Sequence, residues 1–198
     1  MKLVLILVVH CYLMLVCSVP LIVSHDLSHA VERGVSLAKK MLSDIPAVHE
    51  TCVKTTGLTL ELSGEAKNLE YLFGDISIPE PPVLKTISEN LTLAMSLSRI
   101  VEGLELHHKL LQRIREFLTS TEKLDLLLAD IRDLSSQVQE MQQLAQIPST
   151  VSQKAFPDLS PNLDSDYQVQ VTTHLSLQQL RSFTQDVFRS LRQIAVSS

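Results

Sequence analysis

The sequence predicts an all-α protein, a long-chain up-up-down-down four-helix bundle with two long crossover loops, on three observations. Apolar residues recur at three- and four-residue steps in four separate stretches. Glycine and aromatic residues are scarce, at five of 198 residues and 4%, whereas strand-rich folds carry more aromatics and more turn glycines. The middle two stretches are separated by only about four residues, and the other gaps are roughly 25 to 40 residues long. A short gap forces antiparallel neighbours. A long one can return along a helix of about 22 residues, roughly 33 Å, and leave successive helices parallel.

Residues 1–18 are expected to be a secretory signal peptide, with cleavage possible as late as residue 24, ahead of one bundle domain over 25–198. Lys2 precedes an apolar run too short and too poorly flanked for a membrane span, and small residues follow at Cys17 and Ser18. An uncleaved anchor is the alternative. Cleavage removes Cys11 and Cys17, so Cys52 is left without an internal disulfide partner and stability must come from packing. The triplet Asn90-Leu91-Thr92 is a glycosylation acceptor that suits the same compartment.

The first helix places Leu27, Val31, Ala38, Met41, Leu42 and Ile45 on one stripe, and Pro46 should stop or kink it. The second is expected from about Leu84 to Leu118, with Ile87, Leu91, Ala94, Leu97, Val101, Leu104, Leu111 and Ile114 inward and Pro81 and Pro82 as its start signal. The third follows "TSTE", where Thr119 and Glu122 have capping-box spacing. It continues through Leu124, Leu127, Ile131, Leu134, Val138, Met141 and Ala145 until Pro148. The fourth uses Leu180, Phe183, Val187, Leu191 and Ile194. Between the first two helices, Leu69, Tyr71, Leu72 and Phe73 predict a short helix ending at Gly74; Pro157 and Pro161 predict a looser crossing before the fourth.

At about 100° per residue, Glu122, Asp125, Asp130, Asp133, Gln137 and Glu140 fall opposite the apolar stripe of the third helix, within an arc of about 140°. Leu126 and Ala129 lie inside that arc. Apolar area ringed by carboxylates has the composition of an interface, a desolvated centre within a charged rim, whereas a plain charge run is a solvated face. On the first helix, Glu32, Arg33, Lys39 and Lys40 lie opposite Leu27, Ala38 and Ile45. If the two helices are neighbours, these faces form one composite surface for docking a partner by charge complementarity.

Composition narrows the other classes. A formal charge of -5 argues against nucleic acid. His25 and His29 have helical metal-ligand spacing but no third ligand; His107 and His108 point apart and read as surface or partly buried rings; Cys52 has no histidine and carboxylate beside it and reads as a lone thiol. With no phosphate-cradling glycine loop, neither an enzyme nor a cofactor or metal is expected.

"IVEGLELHHKLLQRI", "LDLLLADIRDL" and "IPEPPVL" resemble the long-chain cytokine family that includes interleukin-6, granulocyte colony-stimulating factor and myelomonocytic growth factor, over about residue 25 to the end. The family fingerprint has two cysteines, then Gly-Leu, an aromatic and a final leucine. Gly103, Leu104 and Leu111 fit; Thr86 and Ser96 stand at the cysteine positions and His107 at the aromatic, so both family disulfides are absent. The resemblance implies a secreted, monomeric ligand that crosslinks class I cytokine receptors on myeloid cells, with no chemistry of its own and no membrane insertion. It implies one receptor contact through Glu32, Lys39 and Lys40 with Asp125, Leu126, Ala129, Asp130 and Asp133, and a second through Glu70 and Tyr71 in "NLEYLFG". An interleukin-6-like ligand for a different receptor pair is one alternative. A secreted amphipathic-helix lipid carrier is another, although the chain shows no internal repeat and Pro46 and Pro148 punctuate discrete helices.

Overall fold

The computed structural model describes residues 25–60, 78–84, 92–148, 163 and 165–197. The expected signal peptide, the Glu70 and Tyr71 segment with its short helix, and Asn90 lie outside the described residues. Those described form four helices and no strand: α1 (His25–Cys52), α2 (Leu93–Arg115), α3 (Glu122–Leu144) and α4 (Asp166–Ser197).

α1 and α3 form because their apolar residues each make one stripe. On α1 the buried set is Leu27, Ala30, Val31, Gly34, Ala38, Met41, Ile45, Val48 and Cys52, while Leu42 is only partly covered. Pro46 does not stop α1, which runs six residues further. Val48, His49 and Cys52 are buried there, and this packing outweighs the hydrogen bond that proline removes. On α3, Leu124, Leu127, Ile131, Leu134, Val138 and Met141 are all buried.

Two expected starts move. The second helix begins at Leu93, not near Leu84: residues 78–84 are not helical, and Thr92 caps the helix by accepting from Met95 N at 3.3 Å. Residues 78–84 ahead of it are tied down, with Arg99 donating to the Val83 carbonyl and Gln179 to the Pro79 carbonyl, each at 3.2 Å. The third helix is capped by Thr121 rather than Thr119. The Thr121 hydroxyl turns to the Asp125 carboxylate at 3.0 Å instead of bonding the backbone. α3 ends before Pro148 in a Schellman turn, Ile147 N to Gln142 O at 2.8 Å and Gln146 N to Gln143 O at 3.0 Å, with Gln146 at φ 56°.

α1 packs chiefly on α3 and α4, and α2 on the same two, so α1 and α2 occupy one diagonal and α3 and α4 the other. The start of α1 meets the end of α3 through Arg33 and Glu140, and the end of α2 meets the start of α3 through Arg115 and Asp125. The end of α1 meets the early turns of α4 through His49 and His174.

Two glycines set close approaches. A Cβ on Gly34 would stand 2.6 Å from Met141 Cε and 3.2 Å from Leu191 Cδ1, so α1, α3 and α4 converge there. A Cβ on Gly103 would stand 2.6 Å from Phe183 Cε2, and His107 one turn on packs against the same ring, with centroids 5.2 Å apart and the planes tilted by 44°. Gly103 and His107 thus build the seat for Phe183 where α2 meets α4.

Candidate functional site

The outward strip of α3 runs Glu122, Leu126, Ala129, Asp133, Gln137 and Glu140, at four- and three-residue steps. Leu126, at 67% relative exposure, is the most exposed large apolar side chain on this helix. Glu122, Asp133 and Glu140 are exposed, and Ala129 is half-buried. α1 lies alongside and presents Glu32, Arg33, Lys39 and Lys40, all exposed.

Polar bonds stitch the seam between these helices. Arg33 Nε donates to Gln137 Oε1 and its Nη2 to Glu140 Oε1, both at 2.9 Å. Lys40 Nζ donates to Asp44 Oδ2 at 3.1 Å and to Asp130 Oδ2. The Asp130 carboxylate, with a contribution from Asp44, holds the Lys40 ammonium above its usual range. On the outer edge of α1, Glu32 pairs with His29 at 3.6 Å.

The expectation that all three aspartates look outward together needs correction. Asp130 is only 9% exposed, turned into the seam by Lys40. Asp125 turns the other way, where the Arg115 guanidinium and the Thr121 hydroxyl hold its carboxyl below the usual carboxylate range. Asp133 alone faces solvent between them. The physical reason is angular: Asp125 and Asp130 stand about 140° apart on the helix, wide enough to reach the two flanking helices. What remains outward is Glu122, Leu126 and Asp133 on α3 and, on α1, Lys39 near the middle of the seam and Glu32 towards its far end, where Arg33 meets Gln137 and Glu140.

Neither any protein-family model nor any curated protein matches the sequence.

Other candidate positions resolve differently. His25 and His29 sit 3.3 Å apart through their Nε2 atoms, and among the described residues no group of three or more His, Cys, Asp and Glu is placed to hold a metal. Cys52 is buried, 3.9 Å from the Ser120 carbonyl, and burial pushes its thiol up, the opposite of what a nucleophile requires. No helix among the described residues is long and apolar enough to cross a membrane.

His107 is not at or near the surface. It is fully buried, neither ring nitrogen has a hydrogen-bond partner, and burial lowers its pKa to about 3, so the ring is neutral. The buried pair His49 and His174 was not legible in the sequence either. No local spacing connects positions 125 residues apart.

Proposed function

We propose that this chain is a secreted haematopoietic cytokine of the granulocyte colony-stimulating factor type, which binds and crosslinks a class I cytokine receptor to stimulate myeloid proliferation and differentiation. The observation that carries this reading is the position of Leu126, an exposed apolar side chain between Glu122 and Asp133, on a helix lying beside α1 with its Glu32 and Lys39. An apolar centre in a charged rim gives a receptor both a site to desolvate and charges that set approach and register.

The topology proposed with it is up-up-down-down, the segments before α2 and before α4 crossing the length of the bundle. Support comes from the end-to-end pairings: Arg33 with Glu140, Arg115 with Asp125, and His49 with His174. The same arrangement makes α1 and α2 diagonal, as long connections permit and short ones do not. Secretion through the N-terminal signal, a glycan on Asn90, a monomeric free ligand and a second receptor contact around Glu70 and Tyr71 belong to this proposal. A second face makes a crosslinker of a soluble ligand, because binding the first receptor raises the effective concentration of the next.

The test is to add purified secreted protein to marrow progenitors and to cells bearing individual class I receptors. Granulocyte colonies and phosphorylation of a granulocyte colony-stimulating factor receptor-like chain are expected. Response only through an interleukin-6-type receptor pair would reassign the partner, and tight liposome binding with no cell response would replace the cytokine with a lipid carrier.

A further inference from the structure

Two buried imidazoles join α1 to α4 at one end of the bundle. His49 Nε2 lies 2.9 Å from His174 Nδ1, and the rings meet edge to face with centroids 5.2 Å apart. That bond needs one nitrogen to donate and the other to accept, so at least one ring must be uncharged. One turn before His174, Gln170 Oε1 accepts from Lys54 N, Thr55 N and Thr55 Oγ1 at 2.7, 2.8 and 3.0 Å. The chain leaving α1 is thereby tethered to the early turns of α4.

Pro46 lies inside α1, three residues before His49. It has no N–H for the carbonyl four residues back, and its ring crowds that carbonyl. The turns after it, Ala47 to Cys52, are therefore joined less firmly to the rest of α1, and their position depends on what holds them to α4.

We propose that the His49–His174 pair is an acid-released latch, whose protonation frees the α1 segment after Pro46 from α4 while the remainder of the bundle stays packed. Two imidazolium rings would bring N–H against N–H with no acceptor between them, in a site closed to water. Among the described residues, no carboxylate bears on either ring. Glu50 and Lys54 follow His49 in the chain and are exposed, and Asp166, two turns before His174, is bound by Gln170 at 3.1 Å. Lys123 of α3 and Lys54 act on Cys52 instead, and the buried ionisable group of α2, His107, is itself neutral.

Burial lowers the pKa of His49, and burial together with the His49 ring lowers that of His174 to about 4. The released histidine, near 6.5, takes up protons more readily than the latched one. The latch is therefore closed above about pH 6.5 and weakens as pH falls towards 4.

Hydrogen exchange of the full chain at pH 7.5 and pH 5.0, corrected for intrinsic exchange, tests this directly. Opening of residues 47–55 should rise at least about thirty-fold at the lower pH, with residues 27–41 remaining better protected than 47–55 at both pH values. His174→Gln, which bonds but does not titrate in this range, should cut the rise to the part that His49 alone supplies; His107→Phe, which deletes the other buried imidazole, should leave it in place. Equal protection along the whole of α1 at pH 5.0, or a rise undiminished in His174→Gln, overturns the latch. Should His174→Gln fail to fold, the imidazole proton resonances of the unaltered protein decide. Joint titration of His49 and His174 well below pH 6.5, tracking the exchange, supports the latch; ordinary titration without increased opening overturns it.

Discussion

Lys40 of α1 and Asp130 of α3 meet across the seam of the bundle, with the carboxylate nearly covered and the ammonium half-exposed. This pair closes one edge of the surface on which the proposed function depends. It also separates two aspartates that the sequence presents as equivalents, since Asp130 holds two helices together and Asp133, one turn on, faces solvent.

Asp130→Lys is expected to destabilise the protein by about 1–3 kcal/mol, because it sets a second ammonium against Lys40 where water is largely excluded; the half-exposed Lys40 keeps the figure below that for a fully buried pair. Asp133→Lys should change stability by less than about 0.5 kcal/mol. Urea unfolding of both variants checks the contrast. Equal midpoints would place Asp130 at the surface.

His107→Phe should stabilise the protein, by about 1–2 kcal/mol at pH 7, since it removes two buried nitrogens without partners and keeps a ring against Phe183. The sign with pH follows from a folded pKa of about 3 against 6.5 when unfolded: the unfolded chain binds the extra proton, so stability falls as pH drops from 6.5 towards 3. At pH 4 this protonation removes on the order of 3 kcal/mol, which the variant should retain. Thermal melts from pH 4 to pH 7 measure it.

Gly103→Ala opposes two effects. Alanine favours the helix by about 1 kcal/mol, but its methyl would fall within 2.8 Å of three Phe183 ring carbons. The ring is buried and wedged by His107, so overpacking should win with a net loss of about 1–2 kcal/mol. In a Phe183→Leu background the same substitution should be nearly neutral or stabilising. Additive losses in the double variant would contradict the contact.

Gln146→Gly should raise stability by about 0.5–1 kcal/mol. Gln146 ends α3 at φ 56°, where any Cβ is strained and glycine is not. Chemical denaturation reads the gain as a higher midpoint with an unchanged slope.

Much of the fold was legible because it rests on periodicity. Leu124, Leu127, Ile131, Leu134, Val138 and Met141 repeat at helical steps and all lie in the core, as do Leu180, Phe183, Val187, Leu191 and Ile194. The start of α4 was hidden because Val171 to Leu177 are buried without a break, Thr172, Thr173, His174 and Ser176 among them, so no stripe shows. Periodicity gives an angle on one helix and says nothing of what stands opposite. It put Asp125 and Asp130 opposite the apolar stripe but could not show that Arg115 and Lys40 would take them up, Asp130 being buried as a result. Leu126 and Asp133 stayed outward because none of the described helices reaches the middle of that arc.

Binding kinetics to a granulocyte colony-stimulating factor receptor-like ectodomain test the central claim most directly, comparing Leu126→Lys with Asp133→Lys, singly and together, against Arg192→Glu on the diagonal helix α4. The patch predicts at least about a tenfold loss of affinity in the double variant, slower association in Asp133→Lys and unchanged melting temperatures, with Arg192→Glu binding normally. Unaltered binding by the double variant, with the loss appearing in Arg192→Glu, would contradict it.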